Sequence, residues 1–253
     1  MPLEFGIWRV DERTTKLEPS HLAQEAHLEK AIENDIGLID GNLLLIGRQV
    51  ATGYGKKIDL LAINFDGDLV VIEIKRDKTP REIVAQTLDY ASWILKLTYD
   101  EITEIHDAYV QQRGLPPTPF EEAFEEAFGT NPPDTLNEKH KLLIVASELD
   151  DATERIITYL AHPYGVPINV AFFRYFHDAE RDYLARAWLI DPATWTRDGT
   201  ARQIRRATLE RARLLCGLRR RRDTHLGRCA AQRLHLRRRR QVVRPNALPA
   251  HAG

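Results

Sequence analysis

Residues 55–94, GKKIDLLAINFDGDLVVIEIKRDKTPREIVAQTLDYASWI, decide the fold. KIDLLAIN (57–64) and LVVIEIK (69–75) are short runs rich in Leu, Ile and Val. The turn residues FDGD between them mark a strand, a turn and a strand. PREIVAQTLDYASWILKL (80–97) then reads as a helix, with Pro80 acceptable in its first turn. Alternate residues of a strand share a face, so Glu73 and Lys75 point one way while Ile72 and Ile74 point the other.

The partner of Glu73 depends on the turn. A three-residue loop Phe65-Asp66-Gly67, with Gly67 left-handed, pairs Asn64 with Asp68. Five residues further along each strand it sets Asp59 across from Glu73. A two-residue turn at Asp66-Gly67 would instead put Asp59 opposite Ile74, on the wrong face. Two carboxylates facing one another repel, and a chain keeps such a pair most readily around a cation. Mg²⁺ favours carboxylate, carbonyl and water oxygens, and the Lys75 ammonium would complement a phosphate beside it.

Working outward, residues 20–35 read as a helix capped by Ser20, with Leu22, Ala26 or Leu28, and Ile32 on one stripe. LLLIGRQV (43–50) reads as a strand. Residues 98–139 read as an acidic, Pro-containing insertion with partial helix at FEEAFEEAF. KLLIVAS (141–147) is a buried strand and DDATERIITYLAH (150–162) a helix. INVAFFRYF (168–176) and YLARAWLI (183–190) are two further strands. This order predicts an α/β domain over residues 1–196, a mixed central sheet with helices on both faces.

With Asp59, Glu73 and Lys75 in place, the chain resembles the PD-(D/E)xK nuclease superfamily, whose fold is restriction-endonuclease-like. The fuller pattern G-x-x-IDLLA, DGDLVVIEIKR, Q-x-x-x-Y is most similar to the catalytic domain of the endonuclease NucS family, and adds Gln86 and Tyr90. The resemblance is tight over about residues 20–95 and holds in outline over 140–190. It implies a Glu on the preceding helix, followed by apolar residues three and seven positions on. Glu25 with Leu28 and Ile32 fits, and Glu29, one turn later, competes. It further implies a DNA endonuclease of the repair type, expected in the cytoplasm for want of a signal peptide or membrane span, with Mg²⁺ (or Mn²⁺ in its place) held by Asp59, Glu73 and the Ile74 carbonyl. Lys75 would assist the attacking water, and Glu25, Gln86 and Tyr90 would complete the site. NucS proteins carry a dimerisation and DNA-binding domain before the nuclease, where this chain has some 20 residues. A preference for mismatched or branched DNA therefore does not carry over. The alternative is a non-catalytic or partner-dependent nucleic-acid-binding subunit of a repair or defence complex, and a homodimer or a protein partner stays open.

The plainer readings are specific. Gln86 and Tyr90 can be a capping amide and a half-buried ring. Arg76, Lys78 and Arg81 suit phosphates or a solvated face equally. His21, His27, His106, His140, His162 and His177 lack ligand spacing. Gly53, Gly55 and Lys56 precede a strand rather than a helix, which excludes a nucleotide phosphate loop.

The net charge of −1 averages two unlike parts. Residues 197–253 hold 17 Arg and 3 acids, against 19 basic and 34 acidic residues over 1–196. The tail has no Lys, runs of Arg at 219–222 and 237–240, and both cysteines, Cys216 and Cys229. It reads either as a frameshift product of a GC-rich gene or as a disordered arm for phosphates, and is not expected to pack. The first 196 residues have no cysteine, so neither disulfides nor a thiolate zinc site supports the fold. No apolar run approaches the ~20 residues of a membrane span, and the N-terminus lacks the pattern of a signal peptide.

Overall fold

The computed structural model describes residues 6–20, 25–75, 81–179 and 181–192. The Arg-rich segment 197–253, as well as Arg76, Lys78, Pro80 and His21, lies outside them. The frameshift and basic-arm readings therefore lie outside the described residues too.

A small hairpin, β1 (Ile7–Arg9) and β2 (Thr15–Leu17), comes first, followed by the two-residue strand β3 (Pro19–Ser20). Helix α1 (Glu25–Asn34) leads into β4 (Leu43–Ala51), β5 (Lys57–Asn64) and β6 (Leu69–Lys75). Three helices follow: α2 (Glu82–Ile94), α3 (Tyr99–Arg113) and α4 (Phe120–Phe128). The chain then alternates through β7 (His140–Ala146), α5 (Asp151–Tyr164), β8 (Ile168–Asp178) and β9 (Arg181–Trp188).

The main sheet has seven strands in the order β3-β8-β7-β6-β5-β4, with β9 also on β8. β6, β7 and β8 are parallel, and the pairs β4–β5, β5–β6, β8–β9 and β3–β8 antiparallel. The sheet is mixed, as expected. Its central strands are buried on both faces, which explains why β6 and β7 read as nearly unbroken apolar runs. Leu69, Val71, Leu142, Ile144, Val170 and Phe172 pack against side chains of α2, α4 and α5. The alternate residues Val70, Ile72, Ile74, Leu143, Val145 and Ala171 pack with Leu28 and Ile32 of α1. Helices thus cover both faces.

Two expectations change. Ser20, expected as a helix cap, lies in β3, paired with Tyr175, and the described part of α1 is Glu25–Asn34. The extended backbone set at Pro19 continues into strand pairing there. The segment 98–139 is also more than an insertion with partial helix. FEEAFEEAF is helical throughout as α4, and Phe120 and Phe124 are fully buried in the core. Ahead of it α3 starts at a reciprocal capping box between Thr98 and Glu101 and stops at left-handed Gly114. Ile102 of α3 joins one face of the core and Tyr109 the other. The helix therefore closes over the sheet's outer strand, β4.

Candidate active site

The hairpin of β5 and β6 takes the three-residue form. The Asn64 N–H donates to the Asp68 carbonyl at 3.0 Å, the Asp68 N–H returns to the Asn64 side-chain Oδ1 at 2.8 Å, and Gly67, whose N–H donates to the Asn64 carbonyl, has φ +80°. A side chain at Gly67 would be strained by that angle and would also approach Pro133 within 2.8 Å. The ladder runs Ile63↔Leu69, Ala62↔Val70, Leu61↔Val71 and Leu60↔Ile72, so its next step opposes Asp59 to Glu73. Glu73 lies on the α2 side of the sheet, where Gln86 donates to it.

Glu73 is almost fully buried, at 1% exposure. Its Oε1 accepts from Lys75 Nζ at 2.8 Å and from Gln86 Nε2 at 2.6 Å. Its Oε2 is buried without a hydrogen-bond partner. Burial and then the Asp59 charge push the Glu73 carboxyl up to about 7, against the opposing pull of Lys75. Burial also raises Asp59, while the Ile74 amide, Lys75 and Gln49 pull it down. The Asp59 carboxylate is held at both ends: Oδ2 accepts from the Ile74 backbone N–H at 2.8 Å, and Oδ1 from Gln49 Nε2 at 3.0 Å. The Ile74 side chain itself lies in the core on the opposite face.

Gln86 and Tyr90, one turn apart on α2, form the wall behind Glu73. Gln86 Nε2 is 2.7 Å from Tyr90 Oη, and that hydroxyl donates to the Lys57 carbonyl at 2.6 Å. Tyr90 is thereby tied to the first residue of the strand that carries Asp59. On the other side lies Glu29 of α1, whose Oε1 accepts from Arg48 Nε at 2.7 Å and sits 3.3 Å from Gln49 Nε2. Among the described side chains, Glu29 is linked to Asp59 through Gln49. Glu25 opens α1, and its side chain lies outside the described residues.

Asp59, Glu73, Lys75, Gln86 and Tyr90 therefore come together. Sequence reasoning missed Arg48 and Gln49. Its strand at 43–50 implied simple alternation, and nothing in the letters signals the left-handed backbone of Gln49. Among the described residues, no group of three or more His, Cys, Asp or Glu side chains is arranged to hold a metal ion. Nor is any helix there long and apolar enough to cross a membrane.

No protein-family model matches the chain, and no curated protein does. Among solved structures, it is similar to EndoMS in its complex with double-stranded DNA, at 17% identity and TM-score 0.33. It is also similar to a repair endonuclease from Pyrococcus abyssi, at 15% identity and TM-score 0.32, and to EndoMS in its apo form, at 15% and 0.33. Each alignment covers 61% of this chain. It spans 61%, 61% and 60% of the respective structures, less than two thirds of their length.

Proposed function

We propose that the chain is a restriction-endonuclease-like, Mg²⁺-dependent endonuclease that hydrolyses phosphodiester bonds in DNA. The observation that carries this reading is the Glu73 Oε2, buried beside a second carboxylate and without a hydrogen bond. Burying an acceptor unpaired is costly, and a cation between Glu73 and Asp59 removes that cost and the repulsion together. The donor set fits Mg²⁺, which usually keeps several waters and takes one or two carboxylates plus substrate phosphate oxygens. Two carboxylates and the Ile74 carbonyl would suffice for it; a caged transition metal would require more side-chain ligands.

A divalent ion held by Asp59, Glu73 and the Ile74 carbonyl would supply charge to polarise the scissile phosphate and to lower the pKa of a bound water. The remaining work falls to the protein. Lys75, a point charge whose Nζ lies on Glu73 Oε1, orients the attacking water and stabilises charge developing on the phosphate. Gln86 fixes the rotamer of Glu73, and Tyr90 fixes Gln86. Glu29 is the helix carboxylate of the site. DNA is the substrate class because the set Asp59, Glu73, Lys75, Gln86 and Tyr90 follows the NucS pattern.

One observation favours a second reading, cleavage or binding only alongside a partner. With 34 acidic and 19 basic residues, residues 1–196 repel a polyanion. A cleavage panel of single-stranded, duplex, mismatched and modified DNA and of RNA, with Mg²⁺ or Mn²⁺, tests both. Cleavage of DNA by the full chain and none by Glu73→Gln is the expected result. A rate on every substrate that Glu73→Gln leaves unchanged overturns the catalytic reading.

A further inference from the structure

We propose that Gln49 is a positioning residue for Asp59, held in an unfavourable backbone conformation so that its amide reaches the metal-binding carboxylate; this rests on the nuclease reading above.

Consecutive residues of a strand point to opposite faces. Arg48 and Gln49 are consecutive in β4, yet Arg48 Nε and Gln49 Nε2 both approach the same atom, Glu29 Oε1. The backbone explains how. Gln49 has φ +51°, one of three non-glycine residues with positive φ among those described. The ladder with β5 pairs Arg48 with Leu60 and Val50 with Ile58, and leaves the step between, Gln49 opposite Asp59, unpaired. The left-handed turn swings the Gln49 amide onto Asp59 Oδ1 at 3.0 Å. A non-glycine residue holds such a conformation at a cost in stability, and these residues cluster where the surrounding structure puts the strain to use.

The amide does more than fill space. Asp59 Oδ2 is bound to the Ile74 amide, so a second donor on Oδ1 sets the rotation of the carboxylate plane and hence the lone pairs left for an ion. Gln49 is anchored in turn. Glu29 is ion-paired to Arg48, Arg48 Nη1 lies 3.1 Å from Glu33 Oε2, and Arg113 Nη1 lies 3.1 Å from Glu33 Oε1. Outer partners of this kind orient metal ligands, and their loss commonly costs 10–100-fold in metal affinity or activity.

Two variants of the full chain separate positioning from plain structural support. Gln49→Met keeps the length and the backbone strain and removes the donor. Gln49→Gly removes the donor and relieves the strain. Calorimetric titration with Mn²⁺ alone, read beside the thermal midpoint, is the test. The expected result is a loss of Mn²⁺ affinity on the order of 10-fold in both, with Gln49→Gly at least as stable as wild type and Gln49→Met less so. Wild-type affinity in either variant, or a loss confined to the less stable one, overturns the inference and leaves the nuclease reading standing. A wild-type protein that binds no Mn²⁺ overturns the nuclease reading and takes this inference with it.

Discussion

Asp59 accepts the backbone N–H of Ile74 at 2.8 Å, just past the last ladder pair of β5 and β6, Leu60 with Ile72. A side chain takes over there from the main chain, so Asp59 has a structural duty that Glu73 Oε2 lacks. Asp59→Ala and Glu73→Gln should both abolish cleavage and differ in stability. Asp59→Ala strands the Ile74 N–H and should cost about 1–3 kcal/mol. Glu73→Gln removes a repulsion and should be neutral or stabilising without metal. Urea titrations of both in metal-free buffer check this, and a Glu73→Gln protein less stable than Asp59→Ala would contradict the assignment.

The same carboxyl sets a pH dependence. Glu73 holds its proton up to about 7 in the folded chain, against an ordinary 4.5. Between those values the native state binds more protons than the unfolded one, so metal-free stability falls as pH rises. The contribution to the slope is at most about 1.4 kcal/mol per pH unit and vanishes below 4.5 and above about 7, where the loss of stability is complete. Asp59, also raised, acts in the same sense. The difference in unfolding free energy between wild type and Glu73→Gln, measured from pH 4 to 8, should widen through this window in favour of the variant. A difference that stays flat would show that Glu73 titrates normally.

Lys75→Ala should spare Mn²⁺ binding and lower kcat on the order of 10²–10³-fold, with KM little changed, as for loss of a preorganised electrostatic donor. Lys75→Arg should rescue poorly, since a planar fork replaces a compact charge. Single-turnover cleavage beside calorimetry decides. A Lys75→Ala protein that loses metal affinity and keeps its saturated rate would make this lysine an organiser of the site.

Phe124 has no exposed surface, and its ring centroid lies 4.6 Å from that of Phe128 in an edge-on pair and 5.9 Å from that of Phe120 in a tilted one. Phe124→Ala should therefore cost about 3–5 kcal/mol. Denaturant unfolding that moves by under 1 kcal/mol would show that α4 adds little to the core.

The legible parts of the sequence were those governed by period two and by turn chemistry. β5 and β6 match their expected ends, and Gly67 set the register that brings Asp59 to Glu73. α3 escaped because its buried face runs Ile102, His106, Tyr109, Val110, with a histidine in the apolar stripe and acids around it. Its capping box, Thr98 with Glu101, was a readable signal left unused. Arg48 and Gln49 were illegible for a deeper reason. A left-handed glutamine is dictated by its tertiary partners, Glu29 and Asp59, and no local preference announces it.

The outer strand β4 bears on how the molecule meets copies of itself. A terminal strand with free amides and carbonyls invites another chain to add on, and bulges, twists and covering helices discourage it. β4 has a bulge between Leu45 and Gly47, and the turn at Gln49 breaks its line again. A methyl group on Gly47 would come within 3.1 Å of Ile105 on α3, so the helix lies close against the strand there. The irregularity that aims an amide at Asp59 thus also spoils β4 as a template for aggregation. Smoothing it to strengthen the sheet would trade the Gln49–Asp59 contact for stickiness.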